Sequence, residues 1–417
     1  MTRITGRRTA SLVWLAAFLL ADCNPRLPTG AAGVAASPSR TARSTNAPDA
    51  RAGEAESADT QFHAEDPFEG VDLRFNPDYW ELTDFEAHSV PYSEIRSGGP
   101  PPDGIPPIDD PQFESVEAAG RWLGDDWPVI FLELSDEARA YPLAILIWHE
   151  IANDVIAGEP VAVTFCPLCN ASIVFSRTLA DGRVLDFGTT GNLRRSDLVM
   201  YDRQTESWWQ QFTGEAIVGN LTGEQLALIP SQIIPFSTFA REHPGAAVLS
   251  RETGHTRPYG QNPYSGYDSI SSSPFLFDGE ADDRLPPMAR VVAVESPGER
   301  AAYPFSELSE VGVVNDELGG EPIVVFWRSG TRSAFGFSTD DTGSTGVFSR
   351  HIGGQVLTFR AEEAGFEDQE TGSTWNLLGE ASAGPLSGEA LEPLISGEYF
   401  WFAWAAFRPD TRIWSPE

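Results

Sequence analysis

The chain has 417 residues, 41% of them hydrophobic and 11% aromatic, enough apolar material for about two or three cores. Its 61 acidic residues face 28 basic ones, every one an arginine, for a formal net charge of -33. That balance argues against nucleic acid, whose phosphates need basic contacts, and against adsorption to anionic lipid; it suits a surface kept hydrated in concentrated salt, or a GC-rich genome.

Residues 1–23 have the layout of an export signal. Arg3, Arg7 and Arg8 precede an uncharged, mostly apolar run over 10–21 that is too short to span a bilayer comfortably. Leu20-Ala21-Asp22-Cys23 resembles a bacterial lipobox, which makes Cys23 the expected lipidation site, although Asp22 departs from the small residue usual there. The expectation is an extracytoplasmic protein of the cell envelope, held to the membrane through a lipid on Cys23; a simple cleaved leader is the alternative. Residues 24–59 are rich in Ala, Ser, Thr, Pro and Arg and lack apolar periodicity, which predicts a disordered tether.

Residues 60–127 read as an irregular N-terminal wrap, because Ser97-Gly-Gly-Pro-Pro-Pro-Asp-Gly-Ile-Pro-Pro-Ile108 cannot be helix or central strand. Next come a strand over 129–134, an extended segment over 139–142 and a helix predicted over 143–156 from its apolar spacing. Val161-Ala-Val-Thr-Phe-Cys-Pro-Leu-Cys-Asn-Ala-Ser-Ile-Val-Phe175 reads as a strand, a turn and a second strand. A strand over 183–187, a glycine-rich loop from 188, a strand over 198–201, a strand carrying Trp208 and Trp209 and a hairpin at 214–219 follow. Short strands separated by turn signals define the fold class as β-rich α+β.

An internal repeat supports this parsing. Ala140-Tyr-Pro142 matches Ala302-Tyr-Pro304, Asn153-Asp154 matches Asn315-Asp316, and Gly158-Glu-Pro160 matches Gly320-Glu-Pro322, all at one offset. Further on, Asp202, Thr205 and Trp209 pair with Asp368, Thr371 and Trp375. Two degenerate repeats, 128–250 and 290–417, each with a helix before a central hairpin, are expected to pack as a pseudo-symmetric pair. Residues 251–289 join them as a tyrosine-rich loop, either a lid or a connection. By the same offset, Cys166 and Cys169 correspond to Arg328 and Thr331, and His149 to Val311. Only the first copy kept the cysteines, so its hairpin carries function and the second copy supplies scaffold.

A Cys-x-x-Cys pair has three chemistries open to it. Thiol–disulfide exchange needs a helix N-terminus to lower the pKa of one thiol, whereas Ser172-Ile-Val-Phe175 favours strand. A metal knuckle needs further ligands; His149 is the nearest candidate third member, with His243, His255 and Met200 further off, and a Cys, His and Met set outside the cytoplasm suits copper as well as zinc. The third is a local disulfide that stiffens the turn in an oxidising compartment. Asn170, Ser196, Arg203 and Tyr264 are further candidate site residues, while Asp202 and Thr205, which recur, read as structural.

The function expected is metal binding, copper or zinc, with a redox link. The alternatives are a non-catalytic envelope module that binds a small molecule or another envelope protein around a structural disulfide, and a thiol–disulfide oxidoreductase. His149-Glu-Ile-Ala-Asn-Asp154, Thr164-Phe-Cys-Pro-Leu-Cys-Asn170, Leu198-Val-Met-Tyr-Asp-Arg203 and Asn262-Pro-Tyr264, with the 97–106 segment, resemble an uncharacterised bacterial and archaeal family, domain-of-unknown-function family 3179. The resemblance runs from about residue 90 onward; it implies exported or lipid-anchored proteins and carries no activity with it.

Overall fold

Apolar side chains alternate or run continuously over short stretches, and turn residues with left-handed backbone separate them, so the chain builds sheets rather than long helices. The computed structural model describes residues 67–336, 341–363 and 365–416. The expected leader, tether and lipidation site at Cys23 lie outside the described residues.

The first half forms three sheets. One orders Gln232–Pro235, Pro128–Leu134, Glu137–Pro142, Ala247–Leu249 and Phe113–Ser115; the second orders Leu228–Ile229, Ala171–Ser176, Glu159–Cys166 and Ile151–Ile156. The third orders Ile95–Ser97, Phe187–Arg194, Asp197–Asp202, Trp208–Gln210 and Glu215–Val218. In the second half Arg290–Ser296, Glu299–Pro304, Val313–Leu318 and Glu321–Arg328 stand at the repeat offset from Pro128–Leu134, Glu137–Pro142, Ile151–Ile156 and Glu159–Cys166. Buried hydrogen bonds recur with them. The Tyr141 hydroxyl donates to Asp154 at 2.6 Å and that of Tyr303 to Asp316 at 2.7 Å. Asp202 accepts from Thr205 and the Trp209 indole, and Asp368 accepts likewise from Thr371 and Trp375. Asp202 and Thr205 therefore tie down a turn.

Two expectations are corrected. The helix over 143–156 is a single turn, Leu143–Leu146, after which Ile151–Ile156 is a strand. Glu150 takes a left-handed φ of 60°, which ends the helical path, and the β-branched Ile151, Val155 and Ile156 pair with Thr164, Pro160 and Glu159. The glycine-rich stretch from 188 is not a loop: Phe187–Arg194 is a central strand with a register shift, and the strand expected at 183–187 is not formed. Glycine serves close packing there. A Cβ on Gly188 would lie 2.4 Å from the Tyr201 ring, and one on Gly191, with φ of 72°, 2.0 Å from the Pro100 carbonyl oxygen.

Candidate metal centre

The strand Glu159–Cys166 has both faces buried along its second half and delivers Cys166 into the largest core. Pro167 and Leu168 open the turn, and Asn170, one of the few residues that tolerate left-handed backbone, closes it at φ 52°. The second half clamps this turn: Phe400 N–H donates to the Cys169 carbonyl at 2.9 Å, and the Asn170 amide donates to the Glu398 carbonyl at 3.3 Å. Cys166 and Cys169 are free thiols, 1% and 0% exposed.

A carboxylate completes the cluster. Arg195 and Ser196, both left-handed, make the two-residue connection between Phe187–Arg194 and Asp197–Asp202, the geometry that matches strand twist. The connection sets Asp197 against the cysteine turn, and the Cys169 thiol donates to the Ser196 carbonyl at 3.5 Å. Ligand atoms of Cys166, Cys169 and Asp197 all lie within 4.8 Å of one another. Asp197 Oδ2 accepts from the Gln210 amide at 2.7 Å and from Phe212 N–H at 2.9 Å, and its carboxyl interacts with the Cys166 and Cys169 thiols.

Glu150 is the second carboxylate of this region, electrostatically coupled to Asp197 and to Cys166. Burial raises Glu150 to about 8, with the charge of Asp197 adding, and raises Asp197 to about 7 against the opposing Gln210 hydrogen bond. Burial also pushes the Cys166 thiol up and the Cys169 thiol well up. Two thiols and the Asp197 carboxyl thus form one buried cluster with Glu150 coupled to it through space, and among the described residues no arginine pairs with either carboxyl. Asp154, by contrast, is paired with Arg139, and Asp202 and Asp368 are satisfied by several neutral donors each.

The other sequence-predicted residues are placed differently. His149 is buried with both ring nitrogens engaged: Nδ1 donates to the Pro106 carbonyl and Nε2 accepts from the Tyr259 hydroxyl, each at 2.6 Å, and burial lowers its pKa to about 4. It is absent from the group of potential ligands, where Asp197 stands instead. Met200 is buried in a strand between Thr189 and Trp209. The Ser196 hydroxyl donates to the Phe275 carbonyl, and Arg203 bridges Asp103 at 3.1 Å and Asp109 at 2.5 Å. Tyr264 lies beside Glu150 and Cys166 and is raised well up, first by burial and then by their charge. With it the joining loop covers the turn, for the Tyr267 hydroxyl donates to the Leu168 carbonyl at 2.9 Å.

Sequence reasoning missed Asp197 and Glu150. A signal existed for Glu150: its counterpart in the second copy is Gly312, also left-handed at φ 71°. A buried carboxyl thus stands at a left-handed position whose partner at the sequence offset is a glycine.

Fold and site together define a β-rich α+β protein with a buried cluster of two thiols and a carboxyl, its cysteine turn clamped by the second half of the chain. The chain belongs to the family described as a protein of unknown function, DUF3179, whose model matches residues 102–411. No curated protein and no solved structure matches the chain.

Proposed function

We propose that the protein binds one thiophilic metal ion, copper or zinc, through Cys166, Cys169 and Asp197, with Glu150 as the neighbouring carboxylate. The observation that carries this reading is the convergence of two buried thiols and a buried carboxyl, ligand atoms all within 4.8 Å of one another, with no protein cation beside them among the described residues. Left unpaired, ionised carboxylates and thiolates in such a volume are costly, so the metal-free centre is held neutral. A cation supplies the missing partner, and a thiolate pair selects soft or borderline metals over magnesium or calcium. A redox role would follow if the ion is copper.

Thiol–disulfide exchange is the weaker reading, since an attacking cysteine is exposed and of low pKa, whereas both thiols here are buried and raised. The leader expected at 1–23 would put this centre outside the cytoplasm, on a lipid anchor at Cys23.

The test is metal content of full-length protein purified without chelator, read with titration of Zn(II) and Cu(I) into stripped protein. About one equivalent is expected for wild type. Cys166→Ser/Cys169→Ser should lose it, Asp197→Asn should bind at least tenfold more weakly, and His149→Gln should retain it. No stoichiometric uptake of either metal by wild type, or full retention in Asp197→Asn, would falsify the assignment.

A further inference from the structure

The Ser97-Gly-Gly-Pro-Pro-Pro motif has no part in the cysteine centre, but it forms one wall of a cleft of about 370 Å³ that shares no residue with that centre. Gly98 N–H donates to the Gly191 carbonyl at 2.7 Å, and Gly191 alone leaves room for the Pro100 carbonyl against the strand Phe187–Arg194. The facing wall comes from the stretch around Pro77–Tyr79, which brings Tyr79 and Trp80 to the cleft.

Two features of the lining point to a ligand. Asn192 is 95% buried by its 5% exposure, lines the cleft, and its side-chain amide makes no hydrogen bond to any described residue. That amide meets solvent only through the cleft, so it is free to exchange water for a ligand's hydroxyls. Trp80 is 7% exposed and its buried indole N–H lacks an acceptor, while the neighbouring Tyr79 ring is 54% exposed and offers a flat apolar face.

Charge narrows the class. No carboxylate lines the cleft, although the chain has 61 acidic residues, so a cationic ligand finds no partner. The lining guanidinium, that of Arg74, is engaged by Asp278 at 2.7 Å and by the Ser93 carbonyl, so an anion finds no free one. What remains is an amide able to donate and accept at once, a serine hydroxyl at Ser97 and an exposed aromatic ring. We propose that this cleft binds a small, uncharged, hydroxyl-rich ring compound, a saccharide unit, in a volume within the range of small-molecule pockets.

Isothermal titration and saturation-transfer NMR on the full chain test this with D-glucose, D-galactose and trehalose up to 50 mM, and with acetate and methylammonium as charged comparisons. At least one saccharide should bind saturably and more tightly than either ion. Asn192→Leu and Tyr79→Ala should each weaken that binding at least tenfold, and Cys166→Ser/Cys169→Ser should leave it unchanged. Because Tyr79 is exposed, its variant keeps the fold and the test stands even if Asn192→Leu is unstable. No saturable saccharide binding, tighter binding of acetate or methylammonium, or affinity unchanged in Tyr79→Ala overturns the proposal.

Discussion

Glu150 combines two costs at one residue, a left-handed backbone and a buried carboxyl without a cation. Each is worth about 1 to 3 kcal/mol in a typical protein, and such pairs persist where a site needs them. Replacing it with the residue of the second copy separates the two roles. Glu150→Gly should leave the metal-free protein as stable as wild type or more stable by about 1 kcal/mol, while weakening zinc or copper binding. Urea denaturation in chelator and metal titration read the two effects; a loss of more than about 2 kcal/mol in chelator would show the carboxyl to be a structural bond instead. His149 makes the opposite kind of prediction. Its folded pKa of about 4 lies below the ordinary 6.5, so the unfolded chain takes up the proton first as pH falls. The stability it contributes is complete above 6.5 and drains away between 6.5 and 4, by on the order of 3 kcal/mol. Comparison with His149→Phe across that window checks the sign: the advantage of wild type should shrink toward pH 4, and a constant difference would contradict the buried neutral imidazole.

At the scale of elements, the cysteine hairpin was legible because Val161-Ala-Val and Ile173-Val-Phe175 favour strand and Pro167 and Asn170 punctuate the turn. The strand Ile151–Ile156 was not, because Leu143, Ile147 and Ile151 also satisfy a helical spacing, and only the left-handed Glu150 decides between them. Asp197 stayed hidden for a related reason. The connection that places it is Arg195-Ser196, and neither residue type announces left-handed backbone as Asn-Gly would. His149 drew attention as the nearest histidine, but sequence distance says nothing of where a ring nitrogen points. Glycines misled in Phe187–Arg194, where they mark close approach rather than a loop. That reading has a direct check. Gly191 and Gly223 both have positive φ, 72° and 92°, but a Cβ on Gly191 meets the Pro100 carbonyl and one on Gly223 meets nothing within 4 Å. Gly223→Ala should cost about 1 kcal/mol from backbone alone, and Gly191→Ala clearly more, about 3 kcal/mol. Equal losses in urea melts would mean that the Pro100 segment yields freely.

For the whole molecule, the decisive quantity is the charge. Residues 1–66 carry seven arginines and seven carboxylates, so the entire excess of -33 falls on the rest of the chain. Many of the arginine–carboxylate pairs there are at the surface, as Arg121 and Glu117 are, and such pairs contribute about 0 to 1 kcal/mol each. The pairs within the fold, such as Arg139 with Asp154, are shielded from ions by their burial. Salt therefore acts mainly on the long-range repulsion, whose reach falls from about 10 Å at 0.1 M to about 3 Å at 1 M. The melting temperature should rise with sodium chloride over that range, in chelator and in the double cysteine variant alike; a fall would show that local pairs outweigh the field. The same field bears on the two ligands in different ways. A cation entering the cysteine centre is drawn by the surrounding negative charge, so its association should slow as salt rises, whereas an uncharged saccharide in the Asn192 cleft should bind with the same affinity throughout. Zinc association rates and saccharide affinities measured across one salt series thus separate a charged centre from a neutral one, and a salt-sensitive saccharide affinity would argue that the ligand of the cleft bears charge.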